Sequence, residues 1–357
     1  MLLEENKPVA PFTTLGIGGP ARWFTHAATE EQIADAAAWA ANQSVPLFVL
    51  GGGSNLLIAD AGFNGLVLKV GLRGITVADA PDQQAQVLYQ AAAGEDWDAF
   101  VERTVRDKCA GIECLAGIPG TVGGTPVQNV GAYGQEVSSA IHRVRAFDLL
   151  SRVYVEFAAG ECDFSYRHSR FNATDRGRYI VTRVDFRLTT NGLPTLRYAD
   201  LQRAFPVGAE VSLLEVASAV RKVRQSKGML LVEGDPDCRS AGSFFKNPIV
   251  PDEQVQSIAA IVGKQPPRFP AGPESQNQGK FKVPAAWLIE QAGFTKGYVL
   301  GAAGVSPRHT LALINRGGAT AAEILALADQ INTAVAERFG IHLEMEPVMV
   351  GFDSAPR

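Results

Sequence analysis

Metal-ligand spacing, disulfide spacing and membrane-length apolar runs are all missing from this chain. Its four cysteines (Cys109, Cys114, Cys162 and Cys238) are scattered through 357 residues with no C-x-x-C pair, which argues against a zinc site or a disulfide framework. They are expected to be reduced, partly buried and to act as small apolar residues. The five histidines (His26, His142, His168, His309 and His342) show no H-x-x-x-H pattern, so no metal is expected. No apolar run approaches the roughly 20 residues that cross a bilayer. The opening M-L-L-E-E-N-K-P-V-A-P-F lacks the basic start and apolar centre of a secretory signal. An excess of one charge is lacking too: 33 basic residues stand against 37 acidic ones, a net charge of −4. No global field draws the chain to nucleic acid or to an anionic membrane, and a cytoplasmic protein is expected. Hydrophobic residues at 46% and charged residues at 20% suit a globular chain, long enough for two or three domains.

What the sequence does have is glycine, concentrated in one place. Gly111–Gly134 reads G-I-E-C-L-A-G-I-P-G-T-V-G-G-T-P-V-Q-N-V-G-A-Y-G, with seven glycines in 24 residues. Without a Cβ, main chain can approach a ligand closely, and successive N–H groups in such turns form a nest for a diphosphate. A plain set of tight turns between core strands explains the same composition. A second glycine run, G-G-G-S-N at 51–55, follows the apolar stretch Val45–Leu50. It is no G-x-G-x-x-G opening a helix, because Leu56-Leu57-Ile58 reads as extended, and no G-K-[ST] follows. Two such nests can nevertheless grip one diphosphate from two sides.

Periodicity supplies the scaffold. Thr29 with Gln32 forms a capping box for a helix burying Ile33, Ala36, Ala37 and Ala40. Glu95–Lys108 is a helix through Trp97, Val101 and Val105. Strands are expected at Val45–Leu50, Leu66–Val70, Ile141–Leu150, Val153–Phe157 and Ile180–Leu188, the last half-buried, and the middle pair turns at Ser151-Arg152. Ser212 with Glu215 caps a helix burying Leu213, Val216, Ala217, Val220 and Val223. Gln265–Lys280, rich in proline, reads as a mobile loop, and Pro284 as the first residue of a helix ending at Gly293. Thr320 with Glu323 caps a long helix that stops at Gly340, followed by a strand over Ile341–Val350.

Three strings bear reactive groups. S-A-G-S-F-F-K-N-P places Ser243 among small residues; it is also a plausible turn serine before a core aromatic pair. F-S-Y-R offers Arg167 as a carboxylate clamp, or as a solvated surface charge. L-E-M-E ends in Glu346, whose carboxyl tends to stay protonated if half-buried, or is an exposed strand glutamate. Arg224 and Lys227 could serve phosphate-rich ligands, or act as dipole partners at a helix C-terminus.

Taken in order, G-G-G-S-N, the long glycine stretch, Y-R, G-S-F-F-K-N-P and L-E-M-E resemble the UDP-N-acetylenolpyruvoylglucosamine reductases across the whole chain. The resemblance implies an α+β fold of three domains. Two form a vanillyl-alcohol-oxidase-like FAD-binding unit (1–70 and 71–228) and a third binds substrate (229–343). The tail 344–357 returns to the flavin unit. FAD would be held by Gly51, Gly53, Ser54, Asn55, Pro119, Gly120, Gly123, Gly124, Thr125, Gln128 and Arg224. Tyr198, from the tyrosine loop of the family's longer form, would bind the enolpyruvyl UDP-N-acetylglucosamine with Lys227, Asn247 and Gln291. Two departures stand out: Met345 where the family often has proline, and Gly124-Thr125 where some members carry two serines.

The resemblance further implies a ping-pong reduction in peptidoglycan synthesis, by a protein expected to be a monomer. NADPH reduces the flavin and leaves, and the enolpyruvyl ether then takes the hydride. Charge develops on the substrate carboxylate, so a cation and a donor must face it. Arg167 and a protonated Glu346 are the choices, with Ser243 as the proton donor to the adjacent carbon. A flavin oxidase of the same superfamily and a non-enzymatic nucleotide-binding protein are the competing readings.

Overall fold

The computed structural model describes residues 1–79, 85–206, 208–271 and 277–352. The chain mixes helices and strands and divides into two compact units. The first comprises 1–7, 21–53 and 64–225, the second 8–20, 54–63 and 226–357.

Two sheets build the first unit. In the smaller, strand order is Glu4–Pro8, Pro20–Ala27, Phe63–Val70, Leu47–Leu50, the last two parallel. Helix Glu30–Asn42 buries Ile33, Ala36, Ala37 and Ala40, every residue its period placed inward. Thr29 accepts from the Gln32 N–H at 3.3 Å, while the Gln32 side chain returns to Ala28 rather than to Thr29 itself.

The larger sheet is antiparallel, with Tyr179–Thr190 at its centre between Ile141–Asp148 and Gln86–Ala92. Ile141–Asp148 turns back into Val153–Ala158, with Arg152 left-handed at φ 59° in the turn. Helix Trp97–Arg106 lies on one face. Its Trp97 and Phe100 are fully buried, and Phe100 stacks on Phe186 with ring centroids 4.9 Å apart. Each such side chain contributes roughly 1.5–3 kcal/mol by leaving water. The opposite face is half-exposed at Arg183 and Arg187, as expected. Asp185 alone departs, 2% exposed and held by the Arg183 Nε at 2.7 Å, so that its charge persists by pairing.

Helix Leu213–Ser226 is capped by Ser212 and Glu215 as expected. Its buried residues are Leu213, Val216, Ala217, Val220 and Arg224, and Val223 packs partly buried against the same core.

In the second unit, helix Ala321–Phe339 has a complete capping box between Thr320 and Glu323 and stops at Gly340, left-handed at φ 66°. It buries Ile324, Leu327, Ile331, Val335 and Phe339. Around it lie two three-stranded antiparallel sheets, Val299–Leu300 with Ala303–Val305 and Leu313–Asn315, and Ile249–Pro251 with Lys280–Lys282 and Phe269–Pro270. Phe269–Pro270 falls inside the proline-rich stretch 265–280 read as a loop, and Lys280–Lys282 starts at its last residue; residues 272–276 lie outside the described residues. Pro284 is the residue before helix Ala285–Gln291, not its first.

The expected strand over Ile341–Val350 shrinks to Val348–Val350, which pairs in parallel with Leu56–Ile58. Upstream, the chain is held by single pairings. Met345 bridges Phe245, Lys246 N–H donates to the Glu344 carbonyl at 2.9 Å, and Glu346 N–H to the Phe244 carbonyl at 2.9 Å. Pro347 has no N–H to continue a ladder. Met345, where the family often has proline, takes part in this pairing.

Candidate active site

In the first unit the two glycine turns meet main chain to main chain. A Cβ built on Gly52 would fall 2.7 Å from the Gly120 carbonyl carbon and 3.0 Å from the Thr121 nitrogen. One on Gly51 would meet the Thr121 hydroxyl at 3.0 Å. Glycine at these positions is therefore a packing requirement. The Gly51 carbonyl is taken by the Lys69 ammonium, whose pKa burial pushes down, with the Arg73 charge adding to the shift. Among the described residues, no hydrogen bond takes up the N–H groups of Gly52 and Gly53, or of Ile118 and Gly120. Donors on two adjoining turns are the arrangement a diphosphate requires.

The second turn is fixed from below. Gly120 is left-handed at φ 138° and its carbonyl accepts from Trp97 N–H at 3.1 Å. Gly123 packs on Ala93 and donates to its carbonyl at 2.9 Å. The Thr125 hydroxyl, buried, donates to Val122 O at 2.8 Å. Pro119, Gly124 and Gln128 lie on the same turn, half-buried or exposed at its surface. Two helices grip Gly117: its N–H donates to Asp98 Oδ1 at 2.5 Å, and its carbonyl accepts from Arg224 Nε at 2.8 Å. Arg221 also donates to Asp98, at 2.8 Å. Burial raises the Asp98 pKa and lowers that of Arg224, the nearby Tyr133 and Asp98 opposing the latter. Arg224 thus supports the second glycine turn through the Gly117 carbonyl. Asp98 was missed in the sequence, where it is one acid among several in E-D-W-D.

Arg167 stands on a tight turn closed by reciprocal bonds between Ser165 and His168. Its backbone is left-handed at φ 57°, a strain of roughly 1–3 kcal/mol that such sites retain when the surroundings enforce it. Here Asn129 supplies the enforcement, donating to the Ser165 carbonyl at 3.0 Å. The guanidinium donates to the Gly131 carbonyl at 3.0 Å. Tyr198, 40% exposed, sets its ring edge-on to Tyr133 at 5.3 Å.

The second unit holds the other reactive groups. Ser243 follows Gly242, left-handed at φ 73°, and is half-buried. The pairing of Phe244 with Glu346 brings serine and carboxyl onto adjoining segments. Asn55 secures the same segment: its amide Nδ2 donates to the Glu346 carbonyl at 3.1 Å, and its own carbonyl accepts from Val348 N–H at 2.9 Å. Ser54 is tied through its carbonyl to the Thr14 hydroxyl, which also donates to Ser240. Asn247 spends its side-chain oxygen on the first N–H of helix Ala285–Gln291, at 2.9 Å, and its NH2 group makes no hydrogen bond among the described residues. Gln291 closes that helix, half-buried. Lys227 acts electrostatically on His309, a residue the sequence reading passed over. Burial, then the charges of Lys227 and Lys296, lower the His309 pKa to about 4, so it is neutral at physiological pH. Its Nδ1 accepts from Leu311 N–H at 3.0 Å.

Unclaimed main-chain donors on two adjoining turns suit a diphosphate-bearing cofactor, and the family models say which one. A FAD binding domain matches residues 21–152, and the C-terminal domain of UDP-N-acetylenolpyruvoylglucosamine reductase matches 235–350. Curated reductases of that name are similar throughout. The one from Thermobifida fusca is 45% identical over 97% of this chain and 98% of its own length. That from Streptomyces coelicolor is 46% identical over 97% and 90%. A solved reductase from Thermus caldophilus superposes with a TM-score of 0.66 at 25% identity, covering 98% of this chain and 99% of that one. The chain belongs to the UDP-N-acetylenolpyruvoylglucosamine reductase family of FAD-dependent oxidoreductases. All four cysteines are buried, and burial raises the Cys162 thiol to about 12. Among the described residues no helix is long and apolar enough to cross a membrane.

Proposed function

We propose that the chain reduces the enolpyruvyl ether of UDP-N-acetylglucosamine to UDP-N-acetylmuramate with NADPH, as a cytoplasmic monomer in peptidoglycan synthesis. The observation that supports this reading is the hydrogen bond from Glu346 N–H to the Phe244 carbonyl at 2.9 Å, which joins the segment that carries Ser243 to the one that carries Glu346. Bound FAD supplies a hydride relay between the nicotinamide and the vinyl carbon of the sugar. Its diphosphate fits the free N–H groups of Gly52, Gly53, Ile118 and Gly120, with Gly51, Ser54, Asn55, Pro119, Gly123, Gly124, Thr125 and Gln128 completing the two turns. Arg224 supports them through Gly117.

Arg167 balances the negative charge that grows on the substrate carboxylate, and Glu346 in its protonated form donates a hydrogen bond to it. Ser243 delivers the proton to the carbon next to the carboxylate. Serine is a weak acid, but the carbon is strongly basic at that moment and needs only a positioned donor. Tyr198, Lys227, the Asn247 NH2 group and Gln291 bind the UDP-sugar. In this reading 1–70 and 71–228 carry the flavin, 229–343 the sugar, and 344–357 the returning tail.

The test is an absorbance spectrum of the purified protein under anaerobic conditions. NADPH should bleach a flavin band and the enolpyruvyl sugar should restore it. A yellow protein that NADPH leaves unchanged favours an oxidase, and a colourless one that binds no added FAD refutes the reading.

A further inference from the structure

A second cavity lies in the first unit, lined by none of the residues assigned to flavin or substrate. Its volume is about 400 Å³, within the range of small-molecule sites. Gln86, Ser139, His142, Arg187, Thr189 and Arg197 supply its polar lining, and no aspartate or glutamate lines it.

The two arginines set it apart. Arg143, Arg145 and Arg183, on the same sheet, are each paired with a carboxylate. The side chains of Arg187 and Arg197 make no ion pair or hydrogen bond among the described residues. The Nε of Arg187 and the Oε1 of Gln86 are moreover buried without a partner. Buried polar atoms are rarely left so, and each calls for a reason. Gln86 opposes Thr189 across the sheet, two residues along from Arg187, so all three share one face.

The wall is built rather than incidental. Glu113, 0% exposed, accepts from Gly111 N–H, Thr195 N–H and Gln135 Nε2, each at 2.8 Å. These three residues also line the cavity. One buried carboxylate therefore pins three separate segments into its wall, and its own charge is met by three donors. What then faces the cavity is two guanidiniums with hydroxyl and amide groups. Guanidinium forks match phosphate oxygens in geometry and charge.

We propose that this cavity binds a small phosphate-bearing anion through Arg187 and Arg197, at a site separate from the flavin and the UDP-sugar. The test is calorimetric titration of inorganic pyrophosphate into the FAD-loaded protein, with excess UDP-N-acetylmuramate occupying the substrate site and ionic strength fixed. One site per chain is expected. The double variant Arg187→Gln, Arg197→Gln should bind at least about tenfold more weakly, and its turnover without pyrophosphate should match the parent, which shows that it folds. Arg197→Gln alone alters an exposed residue and should weaken binding in the same direction. An absence of pyrophosphate binding by the parent, or equal binding by parent and both variants, would overturn the proposal.

Discussion

Replacing Gly52 by alanine adds one methyl group where the two flavin turns touch. The nearest atoms are main chain: the Gly120 Cα, then its carbonyl carbon at 2.7 Å and the Thr121 nitrogen at 3.0 Å from the new Cβ. No side chain can swing aside, so the turns must part. Gly52 does not have a left-handed φ, and the backbone itself tolerates alanine; the effect is purely one of contact. Overpacking of this kind costs about 1–3 kcal/mol. Without flavin the turns can separate and relieve most of it, whereas the cofactor requires their original spacing. The loss should therefore appear in binding, as a FAD dissociation constant raised roughly 5- to 150-fold. Gly160→Ala is the matched control, because a Cβ there meets nothing within 4 Å. The assay is quenching of flavin fluorescence as the apoprotein is titrated with FAD, with a thermal melt of each variant. If Gly52→Ala binds FAD within about twofold of the parent and melts at the same temperature, the two turns do not form one site.

Other substitutions separate the roles proposed above. Ser243→Ala should leave bleaching by NADPH unchanged and slow the return of colour with the enolpyruvyl sugar by about 10²–10⁴-fold, read by stopped-flow absorbance. His309 gives a pH signature. Its folded pKa of about 4 lies below the ordinary 6.5, so the unfolded chain binds the proton first. Stability is full above pH 6.5 and falls as pH drops towards 4, by at most about 3 kcal/mol. His309→Gln should flatten that slope in urea melts between pH 7 and 4.5. Asn55→Asp swaps the donor facing the Glu346 carbonyl for a carboxylate and should lower stability by about 1–3 kcal/mol. Asn247→Asp keeps the acceptor for Ala285 N–H and adds charge at a helix N-terminus, so its melt should hold or rise while the KM for the sugar increases.

What could be read from the sequence was local. The boxes at Thr29, Ser212 and Thr320 join residues three apart, and the helices they open bury nearly the set their period assigns. Family motifs brought Ser243 and Glu346 forward but not the pairing of Phe244 with Glu346, between segments about a hundred residues apart. The alternation over 341–346 imitates a strand because the same residues face in and out, although only single pairings hold them. Arg224 reads as a helix-end cation; its burial is decided by Gly117, 107 residues away. The cavity gave no signal, since Gln86 and Arg187 come together through strand register and Arg197 joins them from the loop after the central strand.

The motif asparagines show how scaffold and site share residues. A side-chain amide has a donor and an acceptor end, and each asparagine commits one end to the fold. Asn55 gives its NH2 group to the Glu346 carbonyl, and Asn247 gives its oxygen to a helix N-terminus. Aspartate can replace the second in the scaffold but not the first; leucine can replace neither. The ends left over are opposite in kind, an acceptor at Asn55 and a donor at Asn247. On the proposed reading the donor meets an anionic sugar nucleotide and the acceptor a ligand N–H, two chemistries from one amino-acid type because the fold consumes a different half of it each time.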